Sequence, residues 1–219
     1  MIAMLRYAYI KGLRDSSLIA FVIIPMLFPL AAMSGITLDL KLTKGHPIYP
    51  MVMDVHFTPE QNAKMAGQFT SGICVLFAVI TAFWTFRTEI ATRSVGSFLF
   101  ATRPLTLALA LVLFAAAIGL AGWIGGMAVI GILTTALPPH LAMLALKVVA
   151  GTLAASAFGT LIVTISPNPG MIIGAYVGCV FATIWIENSK SSSQMIAAIA
   201  VAIVCAALAA FLLERRCAT

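Results

Sequence analysis

Apolar and polar positions segregate along this chain into long blocks. Runs almost free of charge cover Ser16–Met33, Gly67–Phe86, Leu105–Ala136, Leu141–Ile165, Met171–Ile186 and Ser192–Leu213, with short polar stretches between them. About 20 apolar residues in a helix cross a hydrocarbon core about 30 Å thick, so the six runs read as membrane spans. A membrane barrel would need polar and apolar residues to alternate along short strands. The run "LALALVLFAAAIGLAGWIGGMAVIGIL" has no such period. The pattern predicts an all-α, polytopic membrane protein, with residues 1–219 forming one transmembrane domain of six helices.

The third run is too long for one upright helix and too short for two, which leaves a seven-span arrangement open beside the favoured six. Gly119, Gly122, Gly125, Gly126 and Gly131 fall inside it and predict either a break or close packing against neighbours. Before the second run, "TPEQ" at 58–61 carries a helix-start signature. Thr58 suits the cap, Pro59 the first helical position and Gln61 the third position past the cap, so this helix should begin outside the membrane.

Composition removes the soluble alternative, because 62% of the residues are hydrophobic and only 9% charged, against about 25% charged in an ordinary soluble domain. The formal charge of +6 does not point to nucleic acid, since the thirteen basic residues are scattered among the spans. They speak to orientation instead. With both termini in the cytoplasm, Arg6, Lys11, Arg14, Arg87, Arg93, Arg103, Arg215 and Arg216 lie inside, and Lys41, Lys44, Lys64 and Lys190 outside. Lys147 falls within the fourth run, seven residues past His140. That is about 10 Å of helix rise, a depth from which a lysine snorkels to the headgroups.

The amino-terminal segment, residues 1–15, places Ile2, Leu5, Tyr9 and Leu13 at helical spacing with Arg6, Lys11 and Arg14 off that stripe. It reads as an interfacial amphipathic helix or as a plain basic flank to the first span. A secretion signal is the weaker reading, because the apolar run behind it is long for a signal core. Cys74, Cys179 and Cys205 fall in spans and Cys217 near the carboxyl end, so no disulfide framework is expected.

Sites for familiar chemistry are sparse. The chain has no GxxxxGK[ST] loop for nucleotide phosphates, no GxSxG elbow and no HExxH helix. Asp54, His56 and Glu60, with His46 nearby, lack the spacing of a recognised metal site. No cofactor or metal is therefore expected on this chain.

The concentration of charge at 86–105, "FRTEIATRSVGSFLFATRPL", is the exception. As a helix, 88–102 gathers Ala91, Val95, Phe98, Leu99 and Thr102 on one side, and Glu89 stands four residues before Arg93, the order that favours an ion pair. Pro104 disfavours helix at the residue before it and marks a sharp turn into the third span. Residues 87–103 thus predict a cytoplasmic amphipathic helix between spans two and three.

Here the chain resembles the six-span permease subunits of type-2 ABC exporters, whose second and third spans are joined by a coupling helix. Glu89, Gly96, Leu99 and Pro104 match that pattern, although Glu89 stands further from the glycine than is usual and the "GTLE" flavour is reduced to "GSFL". The layout adds a basic first segment, a larger loop after span one and a tight "SPNPG" turn after span four. The resemblance implies a multi-pass protein of the bacterial inner membrane that pairs with a second permease copy or paralogue and with two separate ATPase subunits, which bind the ATP and Mg²⁺. It implies that Glu89, Arg93, Gly96 and Leu99 couple to the ATPase. It also implies export of an amphipathic or hydrophobic peptide, lipid or drug along a path flanked by spans one, two and five. In this chain those spans carry Pro25, Pro29, Phe69, Phe77, Met171 and Tyr176. The competing readings are an intramembrane lipid-modifying enzyme, which would draw on His46, His56 or His140, and a non-transporting membrane protein of the immunity type.

Overall fold

The computed structural model describes residues 16–39, 59–91, 103–168, 170–171 and 192–218. The described residues form five α-helices and no strand: α1 Ser16–Asp39, α2 Pro59–Ala91, α3 Pro104–Thr134, α4 Leu141–Ile165 and α5 Ser192–Ala218. Four hold stretches long and apolar enough to cross a membrane, namely Glu60–Thr85, Pro104–Thr134, Leu141–Ile165 and Met195–Arg215. α1 carries an apolar stretch as well, Ile19–Leu30 among its described side chains. Four such helices mark a membrane-embedded protein. The interfacial segment 1–15, most of the fifth run (172–186) and residues 92–102 of the coupling segment lie outside the described residues.

Local chemistry accounts for the helix boundaries. Pro59 opens α2, where its missing amide hydrogen is no loss, and Glu60 in the first turn faces the positive end of the helix dipole. Pro104 opens α3 in the same way and holds Arg103 extended at φ −66 and ψ 141. α3 then runs unbroken for 31 residues, roughly 46 Å at 1.5 Å per residue. Its glycines serve packing and not a break. α3 stops without a glycine: Thr135 takes the left-handed conformation at φ 54, and the Thr134 hydroxyl receives the Ala136 N–H at 3.3 Å.

α2, α3 and α4 form the centre, with α1 packed on α3 and α2 and with α5 packed on α4 and α3. Close contacts fix their directions. Gly151 meets Val75 and Gly159 meets Val79 and Ala82, so α2 and α4 run parallel. Gly119 meets Cys74 and Ala78, and Gly126 meets Thr70, so α3 runs against α2. Gly122 packs on Pro25 and Gly126 on Pro29, which sets α1 parallel to α3. The packed sets Ala150–Met195–Ala198, Ala157–Cys205–Ala206 and Ile162–Ala209–Leu213 step up α4 and α5 together. α5 therefore runs parallel to α4.

The inside-out character of the bundle follows from its composition. Small residues fill the contact seams, while Ile23, Leu27, Leu113, Ile132, Ile203 and Val204 stand exposed on the outer faces, where lipid tails are their natural solvent. Buried threonine hydroxyls satisfy themselves locally. Thr70 donates to Ala66 O, Thr85 to Thr81 O and Thr160 to Ser156 O, each four residues back.

Candidate functional site

The helix directions bring the end of α2, the start of α3, the turn after α4 and the end of α5 to one end of the bundle. Arg87, Arg103 and Arg215, the arginines whose side chains are described, all sit at this end. The opposite end carries Glu60, Lys64 and His140, all exposed.

α2 builds the centre of the arginine end. Its apolar run ends at Phe86, before Arg87, yet the helix continues to Ala91. Glu89 thus belongs to the same helix as the second span, and the boundary drawn at residue 87 is not a break in secondary structure. Helical spacing sets Arg87 three residues past Trp84, and its guanidinium carbon lies 5.7 Å from the Trp84 ring centroid. The Arg87 Nε–H donates to Pro167 O at 2.9 Å. Pro167 follows Ser166, whose extended backbone ends α4, and no basic residue occupies the last turn of α4. The cation that the negative end of α4 favours is supplied by another helix, eighty residues earlier in the chain.

The turn receiving Arg87 is internally bonded. Ser166 Oγ accepts the Asn168 N–H at 3.4 Å, Asn168 Oδ1 accepts the Gly170 N–H at 3.0 Å, and Asn168 O accepts the Met171 N–H at 3.0 Å. At the same end of the bundle the Arg215 guanidinium lies over the Phe211 ring at 4.7 Å.

The residues proposed for a substrate path are dispersed. Pro25 and Pro29 are fully buried at the seam with α3, against Gly122 and Gly126. Pro29 cannot donate the helical hydrogen bond that Pro25 O would accept, and that oxygen faces Gly126, 3.4 Å from where a Cβ there would stand. Phe77 is half-buried and meets Phe21 of α1 edge-on at 5.8 Å. Phe69 and Met171 are exposed, at 55% and 39%. Phe77 thus shares the α1 region with the two prolines, whereas Phe69 points outward and Met171 belongs to the turn after α4.

Tyr176 lies outside the described residues, as do Arg93, Gly96 and Leu99 of the coupling segment. So do Asp54, His46 and His56. Among the described residues no three His, Cys, Asp or Glu side chains gather into a metal-binding group. Lys147 is partly buried near the beginning of α4.

Two contacts went unread in the sequence. Arg87 counted only as an orientation charge, although Trp84 one helical turn earlier was a visible partner. The Trp123 Nε1–H donates to Ser71 Oγ at 3.0 Å and joins α3 to α2 inside the bundle. Nothing local to either residue signals that pairing across 52 positions. Comparison of the chain with family models, with curated proteins and with solved structures gave no match in any of the three.

Proposed function

We propose that this chain is the membrane-spanning subunit of an ATP-driven exporter, working with a second permease copy or a paralogue and a separate pair of ATPase subunits. Glu89, Arg93, Gly96 and Leu99 contact the ATPase, and the cargo is an amphipathic or hydrophobic molecule moved out of the cytoplasm. The observation that carries this reading is the continuation of α2 past its apolar stretch to Ala91, at the end where the described arginines collect. A helix rigid up to Ala91 delivers displacement of the following segment into the bundle, which a slack loop would absorb.

Two further observations support the details. Arginines at one end favour placing that end, and both termini, in the cytoplasm of a bacterial inner membrane. Parallel α4 and α5 favour six crossings, since Ile165 and Ser192 lie at opposite ends of the bundle and the chain between them includes the apolar run 171–186.

The test is purification of the tagged full chain from its native membrane, followed by identification of bound nucleotide-hydrolysing subunits. An ATPase should copurify in stoichiometric amount, with R93E or Gly96→Trp lowering its recovery at least tenfold. Lipid turnover by the purified chain alone, lost on substitution of His46, His56 or His140, would replace this reading with the enzyme. Unchanged export after the 86–105 stretch is scrambled but kept amphipathic would favour a structural linker.

A further inference from the structure

Resting on the export reading, we propose that Arg87 is a positioning residue that clasps α2 to the exit turn of α4, so that both helices move as one lever when the segment beyond Ala91 is displaced. The two helices already touch deep in the bundle, where Gly159 brings α4 against the Val79 backbone. Gly151 packs on Val75 in the same seam, so the helices are held along their apolar length. Arg87 adds a polar attachment beyond the Gly159 contact, through the bond from its Nε–H to Pro167 O, just past the end of α4, at 2.9 Å. This bond extends the hold from the apolar seam to the turn that follows α4.

The clasp depends on the chemistry of arginine. Its planar guanidinium lies over Trp84 while Nε–H points to the carbonyl, a division of roles that a lysine ammonium cannot reproduce. The receiving carbonyl is well placed, because the neighbouring amides of Asn168, Gly170 and Met171 are bonded within their own turn. Pro167 O lies directly after the Ser166 cap of α4, so pulling on it pulls the end of α4.

Hydrogen exchange on the full chain in nanodiscs tests the clasp without any partner. In R87A the Gly170 and Met171 amides should exchange roughly tenfold faster, the scale expected for losing one hydrogen bond from a charged donor. R87K should recover part of that protection, and R103Q, which removes an exposed arginine at the same end, should leave it unchanged. If R87A is not recovered folded, R87Q serves in its place, since it keeps much of the stem and loses the charge. Unchanged exchange in the turn overturns the clasp.

A second arm adds the copurified ATPase and ATP. In the wild type, ATP should alter exchange along α4, and in R87A this response should vanish while the ATPase stays bound. A surviving response overturns the lever. If the wild-type chain recruits no ATPase, the export reading fails, and the clasp is decided by the first arm alone.

Discussion

The seam between α1 and α3 and the seam between α2 and α4 both depend on glycine, but the atoms facing the glycines differ. At the first, the nearest atoms are side chains, the Pro25 ring at 3.1 Å from where a Gly122 Cβ would stand and Met26 Cγ at 2.8 Å from that of Gly125. The Val22 and Pro25 carbonyl oxygens come no nearer than 3.4 Å to the corresponding positions at Gly122 and Gly126. At the second, Gly151 meets the Val75 side chain, but Gly159 faces backbone, with Val79 O only 2.7 Å from where a Cβ would stand and Val79 Cα at 3.2 Å. Side chains yield by rotation, whereas backbone yields only if a whole helix moves. The α2–α4 seam should therefore be the less forgiving, as suits two helices proposed to move together.

Gly159→Ala should have the largest effect. Its methyl group collides with a carbonyl oxygen fixed in the α2 ladder, and the neighbouring Ala82 Cβ at 3.1 Å blocks the sideways escape. A loss of about 3 kcal/mol, the upper range for overpacking, is expected. Thermal unfolding in nanodiscs should show it, with the cross-link yield of a cysteine pair spanning α2 and α4 falling in parallel. Tolerance of the alanine would mean that the two helices slide freely.

Gly126→Ala comes next. The obstacle is Thr70 Cγ2 at 2.6 Å, on a fully buried β-branched side chain held by its hydroxyl bond to Ala66 O. Rotating that methyl away breaks the bond, so about 1–2 kcal/mol should be lost. T70S removes the methyl and keeps the hydroxyl. The double variant G126A/T70S should recover most of the stability, and a coupling near zero in the double-mutant cycle would show that the collision lies elsewhere.

This contrast also marks how far the sequence could be read. Blocks of apolar residues gave the membrane-embedded, all-helical character, because exclusion from water acts on every residue of a run. Pro59 and Pro104 gave the beginnings of α2 and α3, because a proline's missing donor acts on its own backbone. The glycines at 119–126 announced close packing but not the partner, since the identity of a neighbour depends on tertiary arrangement. Pro25 and Pro29 looked like bends facing a path for the same reason. Their burial against Gly122 and Gly126 became visible only once α1 and α3 were side by side. Of the coupling set, only the position of Glu89 on α2 is fixed by the described residues.

A smaller effect is expected at the bond between α3 and α2. Trp123→Phe removes the donor to Ser71 Oγ but leaves Ser71 its own bond to Gly67 O at 2.7 Å, so no hydroxyl hydrogen is stranded. Interhelical hydrogen bonds in membranes contribute about 0.6 kcal/mol on average, and the loss should be of that order. Ser71→Ala should be non-additive with it. Additive losses in equilibrium unfolding would show that the indole acts through packing alone.

Gly125→Ala, at the forgiving seam, should have the smallest effect and the opposite sign. The clash on paper is severe, with Met26 Cγ at 2.8 Å and Sδ at 3.0 Å from the new methyl. Met26, however, is 37% exposed and unbranched, so its chain can swing outward into lipid without disturbing backbone. Against that small rearrangement, α3 exchanges an interior glycine for alanine, which favours helix by about 0.5–1 kcal/mol. Thermal unfolding should therefore show a slight gain or no change. A loss as large as that of Gly159→Ala would mean that α1 is held as tightly as α4, and the division of the bundle into a yielding and an unyielding seam would fail.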